Sequence, residues 1–238
     1  MTGRWQQTIS LHDYDPDRDV ADPHNGLSPI LVELIGQEAS CEKRVIEIGC
    51  GTGRLTRVLA SLFGEVIALD RSEPALAEAR LAAAREGRGN VSFCLADAEQ
   101  ADYAALAAGP LPVVVAHLCM SNGILTRAAA LGPGTILAFA AFHRDQWRET
   151  GVISRFAYSE ASLEAALADT GFHPSSLALE KEIFRFRSPE QALAYLQKSG
   201  LEAKWQSSDR WRGFLTHLRG GGDSLTVRAR VVVKACRK

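Results

Sequence analysis

The residues with the clearest chemical potential stand in one short run, Glu47-Ile48-Gly49-Cys50-Gly51-Thr52-Gly53, with a second acid, Asp70, 17 residues past the last glycine. Alternate glycines keep Cβ atoms off the backbone, so a ligand can lie against the chain and the chain can turn through conformations closed to other residues. A carboxylate at Asp70 can accept hydrogen bonds from both hydroxyls of a ribose, so loop and acid together point to a nucleoside. Spacing narrows the choice. A dinucleotide loop reads G-x-G-x-x-G, and counted from Gly49 its third glycine would fall on Arg54. The loop here is G-x-G-x-G and follows an acid, Glu47, which would repel a pyrophosphate but can receive a charged amino group, directly or through water. A nicotinamide dehydrogenase is disfavoured on this ground, and a nucleoside bearing an amino acid fits.

Such a loop works only between a strand and a helix. Arg44 to Ile48 is a short run rich in β-branched residues ended by Gly49, and Leu55 to Phe63 is amphipathic at helical spacing. Val66 to Leu69 predicts a second strand closing at Asp70, with an alanine-rich helix from Glu73 to about Glu86. Further strands are expected over 91–95, 112–117 and 134–142, with a helix over 99–108 and a short one between the last two strands. Upstream, Ser28 and Pro29 open a helix over 27–39. Strands alternating with helices, apolar on both faces, predict an α/β fold with a parallel sheet and helices on both sides, seven strands in all with those toward the C-terminus.

Toward the C-terminus a helix over 159–170, a strand over 177–186, a helix over 189–198 and a closing strand over 225–235 are expected. Residues 188–223 then read as a small cap inserted between the last two strands of a core formed by 27–187 and 224–238. Residues 1–26 lack a sustained apolar period and read as an irregular arm, its Trp5 and Tyr14 suited to lying on the body.

Composition limits the partners. Lys plus Arg number 27 and Asp plus Glu 28 among 238 residues, a net charge of −1 that supplies no field drawing the whole chain to nucleic acid. Five scattered cysteines without a C-x-x-C pair indicate neither a disulfide framework nor a metal site. With no signal-peptide-like or membrane-spanning apolar run, a cytoplasmic protein is expected, with no membrane partner.

At Val45-Ile-Glu-Ile-Gly-Cys-Gly-Thr-Gly-Arg-Leu-Thr56 the sequence resembles the first motif of the class I S-adenosylmethionine-dependent methyltransferases. The resemblance covers Leu27 to Phe142 and continues in outline to the C-terminus. It implies a Rossmann-like, mostly parallel sheet with one antiparallel strand near the C-terminus, with S-adenosylmethionine as cofactor and S-adenosylhomocysteine as product. Glu47, Gly49, Cys50, Gly51, Thr52 and Gly53 would then hold the methionine part, Asp70 and Arg71 the ribose, and Asp97 and Ala98 the adenine, with His117 beside cofactor and acceptor. For Asp97 a helix-capping role competes. The aspartate many relatives carry at the start of the fourth strand is missing here, where Gly109-Pro-Leu-Pro-Val113 stands. That departure, with the lack of an acceptor motif, motivates a second reading as a non-catalytic module that binds the cofactor or its product.

The fourth-strand run Val115-Ala-His-Leu-Cys-Met-Ser-Asn122 contains no N-P-P-Y, which argues against adenine in nucleic acid or a glutamine amide as acceptor. A small-molecule or carrier-bound acceptor, methylated on oxygen or on a carboxylate, is favoured. His117 is the one candidate general base, with a contact or packing role as its competitor. Cys119 reads as an inert buried thiol. The tail from Phe186 to Gly200 looks like that of the malonyl-carrier-protein carboxyl methyltransferases. If it is, an arginine such as Arg144, Arg185 or Arg187 would pair with an acceptor carboxylate, with a solvated face the favoured place for any single one of them, and Trp205, Trp211 and Phe214 would either wall its pocket or, as is commoner, form the core of the cap.

Overall fold

A computed structural model describes residues 5–19, 26–106 and 113–238. Among them, eight strands form one sheet in the order β1-β7-β8-β6-β5-β2-β3-β4. The strands are β1 (Gln6–Asp13), β2 (Ser40–Ile48), β3 (Phe63–Asp70), β4 (Val91–Leu95), β5 (Val113–His117), β6 (Ile136–Phe142), β7 (Phe172–Arg185) and β8 (Ser224–Arg237). All neighbours pair in parallel except β8, which runs antiparallel to both β6 and β7. The expected α/β class, mostly parallel sheet and late antiparallel strand are all present. The strand count is eight, not seven, because the N-terminal segment read as an irregular arm contributes β1, an edge strand paired with β7 in continuous register from Gln6–Ala178 to Asp13–Arg185. Seven of its eight residues are exposed, so burial imposes no apolar period on it. Tyr14 then docks the chain, packing on Phe184, Phe186 and Tyr195.

Helices cover both faces. On one side α1 (Pro29–Gly36), α2 (Arg54–Leu62) and α3 (Glu73–Arg85) bury Leu31, Ile35, Leu55, Leu59 and Leu76 against Val45, Val66, Val115 and Val232. On the other, α4 (Tyr103–Leu106), α5 (Asn122–Ala129) and α6 (Glu160–Asp169) pack Tyr103, Ile124, Leu125 and Leu163 against Ile46, Ile48, Phe139, Val231 and Val233. Two-faced burial explains why the strands read as continuous apolar runs. The start signals are used as their chemistry predicts. Ser28 Oγ accepts from the Leu31 N–H at 3.1 Å, and Ser72 and Ser159 cap α3 and α6. The expected helix over 99–108 is shorter, because Asp97 holds a turn ahead of α4, and residues 107–112 lie outside the described ones.

The segment between β7 and β8 is a helical cap of α7 (Pro189–Lys198), α8 (Leu201–Trp205) and α9 (Asp209–Arg219). It has its own apolar cluster, in which Tyr195, Leu201, Trp205 and Phe214 surround the end of β7 and the start of β8. It stands at the carboxyl edge of the sheet, on β7 and β8, which lie four and three positions from β2.

Candidate functional site

The chain crosses from β2 to α2 through the glycine run, and all three glycines adopt positive φ: +65° at Gly49, +54° at Gly51 and +84° at Gly53. Side chains other than glycine are strained there. Space is as short as geometry at Gly49, where a Cβ would lie 2.6 Å from Cys119 Sγ, while at Gly51 it would meet nothing within 4 Å. The loop is braced from the next strand. Cys50 N–H donates to Leu69 O at 2.9 Å, Gly51 N–H to Asp70 Oδ2 at 2.8 Å and Ser72 N–H to Asp70 Oδ1 at 2.8 Å. Asp70 thus ties the two turns together while its carboxylate faces the cleft between them. The N-cap of α2 is Gly53, which has no side chain to offer, and the Glu47 carboxyl behind the loop is bonded to Thr56 in the first turn of that helix.

A cavity of about 320 Å³ opens in front of this loop. Of the residues singled out from sequence, Gly49, Asp70, Arg71, Asp97 and Ala98 line it. Asp97 does not cap a helix, the role that competed for it: its Oδ1 accepts from the Glu99 N–H at 2.9 Å and its carbonyl from Ala101 N–H at 2.8 Å within a turn, and α4 starts later, at Tyr103. Cys50 and Gly53 are buried behind the loop and Thr52 is exposed in its turn, outside the cavity wall. Glu47 and His117 are also set back from the wall. Glu47 is only 2% exposed. Burial pushes its carboxyl up to about 7, Thr56 opposes the shift and Asp70 adds to it. Its Oε2 is buried without a hydrogen-bond partner, an acceptor held in reserve behind a loop open to ligand.

His117 ends β5. Burial is the main cause that holds its imidazole down at about 3, with Arg230, Arg54 and Arg228 adding to the shift. The ring is therefore neutral at physiological pH, and its Nε2 is buried without a partner. Arg230 is fully buried on β8, opposite Phe142 of β6 and Glu180 of β7, and its Nη1 donates to Gly26 O at 2.6 Å. Cys119 is a thiol, not a thiolate. Burial pushes it up to about 12 and its Sγ donates to Ile48 O at 2.8 Å, in accord with the inert reading.

Several wall residues went unrecognised in the sequence. Leu118 holds a φ of +62°, costly for leucine, and Ser121 and Ile124 follow it into the wall beside Cys119, the thiol already read as inert. Their place directly after the fourth strand was the available signal. Arg155 and Phe156 come from the loop between β6 and α6, and no local pattern marks them. Of the two places open to the aromatic residues at 205, 211 and 214, cap core and pocket wall, the structure shows the core. Trp205 and Phe214 are buried in the cap's own cluster with Trp211 packed against it, and none of the three lines the cavity. Their partners are each other and Trp147, whose ring lies 5.3 Å from that of Trp205. Neither do the proposed arginines reach the cavity wall. Arg144 and Arg187 are exposed, and Arg185 pairs at the surface with Asp13 of β1 at 2.8 Å.

With the geometry in place, the chain can be set beside known proteins. Residues 40–194 match a family model described as a methyltransferase domain. A ubiquinone biosynthesis O-methyltransferase of Aromatoleum aromaticum is 27% identical over 190 residues, 76% of this chain and 73% of that protein. The YcgJ protein of Bacillus subtilis superposes with a TM-score of 0.63 at 15% identity, covering 89% of this chain and all of that one. The magnesium protoporphyrin IX methyltransferase of Synechocystis PCC 6803, solved with bound S-adenosylhomocysteine, does so with a TM-score of 0.56 at 17% identity, over 88% of this chain and 80% of that one.

Proposed function

Because the chain belongs to the class I S-adenosylmethionine-dependent methyltransferases, we propose that it methylates an oxygen of a small acceptor, free or carrier-bound, that arrives as an anion. The cofactor suits the residues present. Glycines 49, 51 and 53 would lie against its methionine part, the buried unpartnered oxygen of Glu47 would take up its ammonium, Asp70 and Arg71 would face its ribose, and Asp97 and Ala98 its base. When bound, S-adenosylmethionine supplies a methyl carbon on positively charged sulfur, which an oxygen lone pair displaces in line.

The observation that carries the choice of acceptor is the state of His117. An imidazole held at about 3 is a weak base, poorly matched to removing a proton from a neutral alcohol or amine at physiological pH. A carboxylate needs no base, and an acidic phenol loses its proton readily where positive charge is near. Arg54, Arg228 and Arg230 place that charge around His117. His117 is then no base but a neutral group set back from the wall, whose buried Nε2 would take a hydrogen bond only from an acceptor that reaches past that wall. The printed name of the Aromatoleum relative, an O-methyltransferase, supports transfer to oxygen. The near-neutral net charge supports a small acceptor over nucleic acid. Among the described residues no helix is long and apolar enough to cross a membrane.

The test is methyl transfer from labelled S-adenosylmethionine to a panel of small phenols and carboxylates, free and as carrier thioesters, with amines and RNA as controls. Methyl ethers or methyl esters are expected. Asp70→Ala should weaken S-adenosylhomocysteine on the order of thirtyfold, the loss of about 2 kcal/mol expected for charge-assisted bonds. Transfer confined to amines or RNA would sink the proposal for the acceptor.

A further inference from the structure

The loop between β6 and α6 has no part in the reading above beyond lining the cavity, yet its course is defined at both ends. At one end, Val152 O accepts from Arg210 Nη1 of α9 at 2.9 Å, and the same guanidinium lies 5.2 Å from the Trp147 ring centroid. At the other, Tyr158 bridges to His143, its N–H donating to Phe142 O at 2.9 Å and its hydroxyl to Asn122 Oδ1 at 2.8 Å. Between these anchors residues 153–157 form a strap, and it brings Arg155 and Phe156 to the cavity. Phe156 is the one aromatic ring in a wall otherwise built of aliphatic and polar groups. It is 41% exposed, with the Arg155 guanidinium 4.4 Å from its centroid.

A purine is flat, apolar on its faces and polar at its rim. The cavity offers a matching arrangement. Leu69, Ala96 and Ile124 give apolar surface, and Asp97 and Ser121 give polar groups. Phe156 supplies a ring whose open face a base could cover. We propose that the strap is a cofactor-binding element and that Phe156, held beside Arg155, covers the base of the bound nucleoside. This inference rests on the cofactor reading above. It also gives the cap a role in the site despite its distance from β2, because Arg210 of the cap holds one end of the strap.

Calorimetric titration of the full chain with S-adenosylhomocysteine and with 5′-methylthioadenosine tests it, since the two share the nucleoside and differ in the amino acid. For Phe156→Ala both affinities should fall together on the order of tenfold, the range for losing one ring-on-base contact. Phe156→Tyr, which keeps the ring, should stay within about threefold of wild type by the same measure. Because the ring is exposed, the unfolding midpoint of Phe156→Ala should match that of wild type. Unchanged affinities in Phe156→Ala, or a loss confined to S-adenosylhomocysteine, would overturn the strap assignment and leave the cofactor reading standing. Wild type binding neither compound would overturn the cofactor reading, and the strap assignment with it.

Discussion

Two halves of the carboxyl edge of the sheet do different work with different means. On the side of β2, β3 and β4, backbone does most of the shaping. Three glycines in left-handed conformations, the last of them the N-cap of α2, and an aspartate that accepts from two backbone N–H groups outline a surface that a ligand can touch without meeting a Cβ. On the side of β5, β6 and β8, side chains do it. A neutral buried histidine, a fully buried arginine and further charges set the local field. Backbone sites tolerate few substitutions and serve one ligand well, whereas a site made of side chains can change its acceptor by changing a few residues. The contrast predicts that the first half breaks under steric insult and the second changes gradually.

The sharpest break is Gly49→Ala. The variant combines a left-handed backbone with a Cβ placed 2.6 Å from Cys119 Sγ, at a point where that thiol is itself bonded to Ile48 O. Strain and overpacking together should cost roughly 3–5 kcal/mol. S-Adenosylhomocysteine binding should be lost in calorimetry and the unfolding midpoint should drop. Gly51→Ala shares the positive φ but meets nothing within 4 Å, so it should cost only about 1–2 kcal/mol. Equal effects from the two variants would mean that the cleft yields at Cys119, and the backbone half would be softer than its geometry implies.

Glu47→Gln sharpens the comparison by separating stability from binding. The carboxyl has an ordinary value of 4.5 and sits at about 7 in the fold. A raised value means that folding favours the protonated form. Its contribution is fully present below about pH 4.5 and is lost as pH rises toward about 7, a change of about 3 kcal/mol. Denaturant unfolding of the ligand-free protein should show wild type losing ground to Glu47→Gln across that window, the variant being the more stable above it. Calorimetry at pH 8 should show the opposite for S-adenosylhomocysteine, because the ionised carboxylate is what an ammonium needs. A variant with the wild-type pH profile of stability would show that Glu47 is not the group that titrates.

The same contrast explains what the sequence disclosed. The glycine run, Asp70, Asp97 and the strand-turn-helix around them were legible because backbone requirements write themselves into local residue type: glycine where φ is positive, serine where a helix starts, an acid at the end of a strand. The second half was not. Arg230 contributes through burial and cross-strand neighbours at Phe142 and Glu180, relations between residues far apart in the chain. Arg155 and Phe156 reach the cavity only because Arg210 and Tyr158 hold their loop. Trp205 and Phe214 left two places open, since aromatic residues near a cleft and aromatic residues in a core share one signature until burial tells them apart. The strand β1 shows a third limit, an edge element that has pairing but almost no burial to give it a period.

The smallest effect belongs to His117, and it bears most directly on the acceptor side. A base that drew a proton from the acceptor would contribute about 10²- to 10⁴-fold, and its removal would also erase a rise in rate near its own titration. With the imidazole at about 3, the profile of kcat/KM should carry no limb from this residue near pH 6.5, and His117→Gln should lower the rate less than about tenfold, the loss of one neutral contact. Stability supplies an independent readout with the opposite pH direction from Glu47. A lowered value means that the fold disfavours the protonated ring, so the contribution is present above about 6.5 and is lost as pH falls toward 3. His117→Gln should therefore flatten the acid side of the stability curve while barely moving the rate. A collapse in rate with loss of a limb near neutrality would instead make His117 the base, and the acceptor would then be a protonated group that needs one.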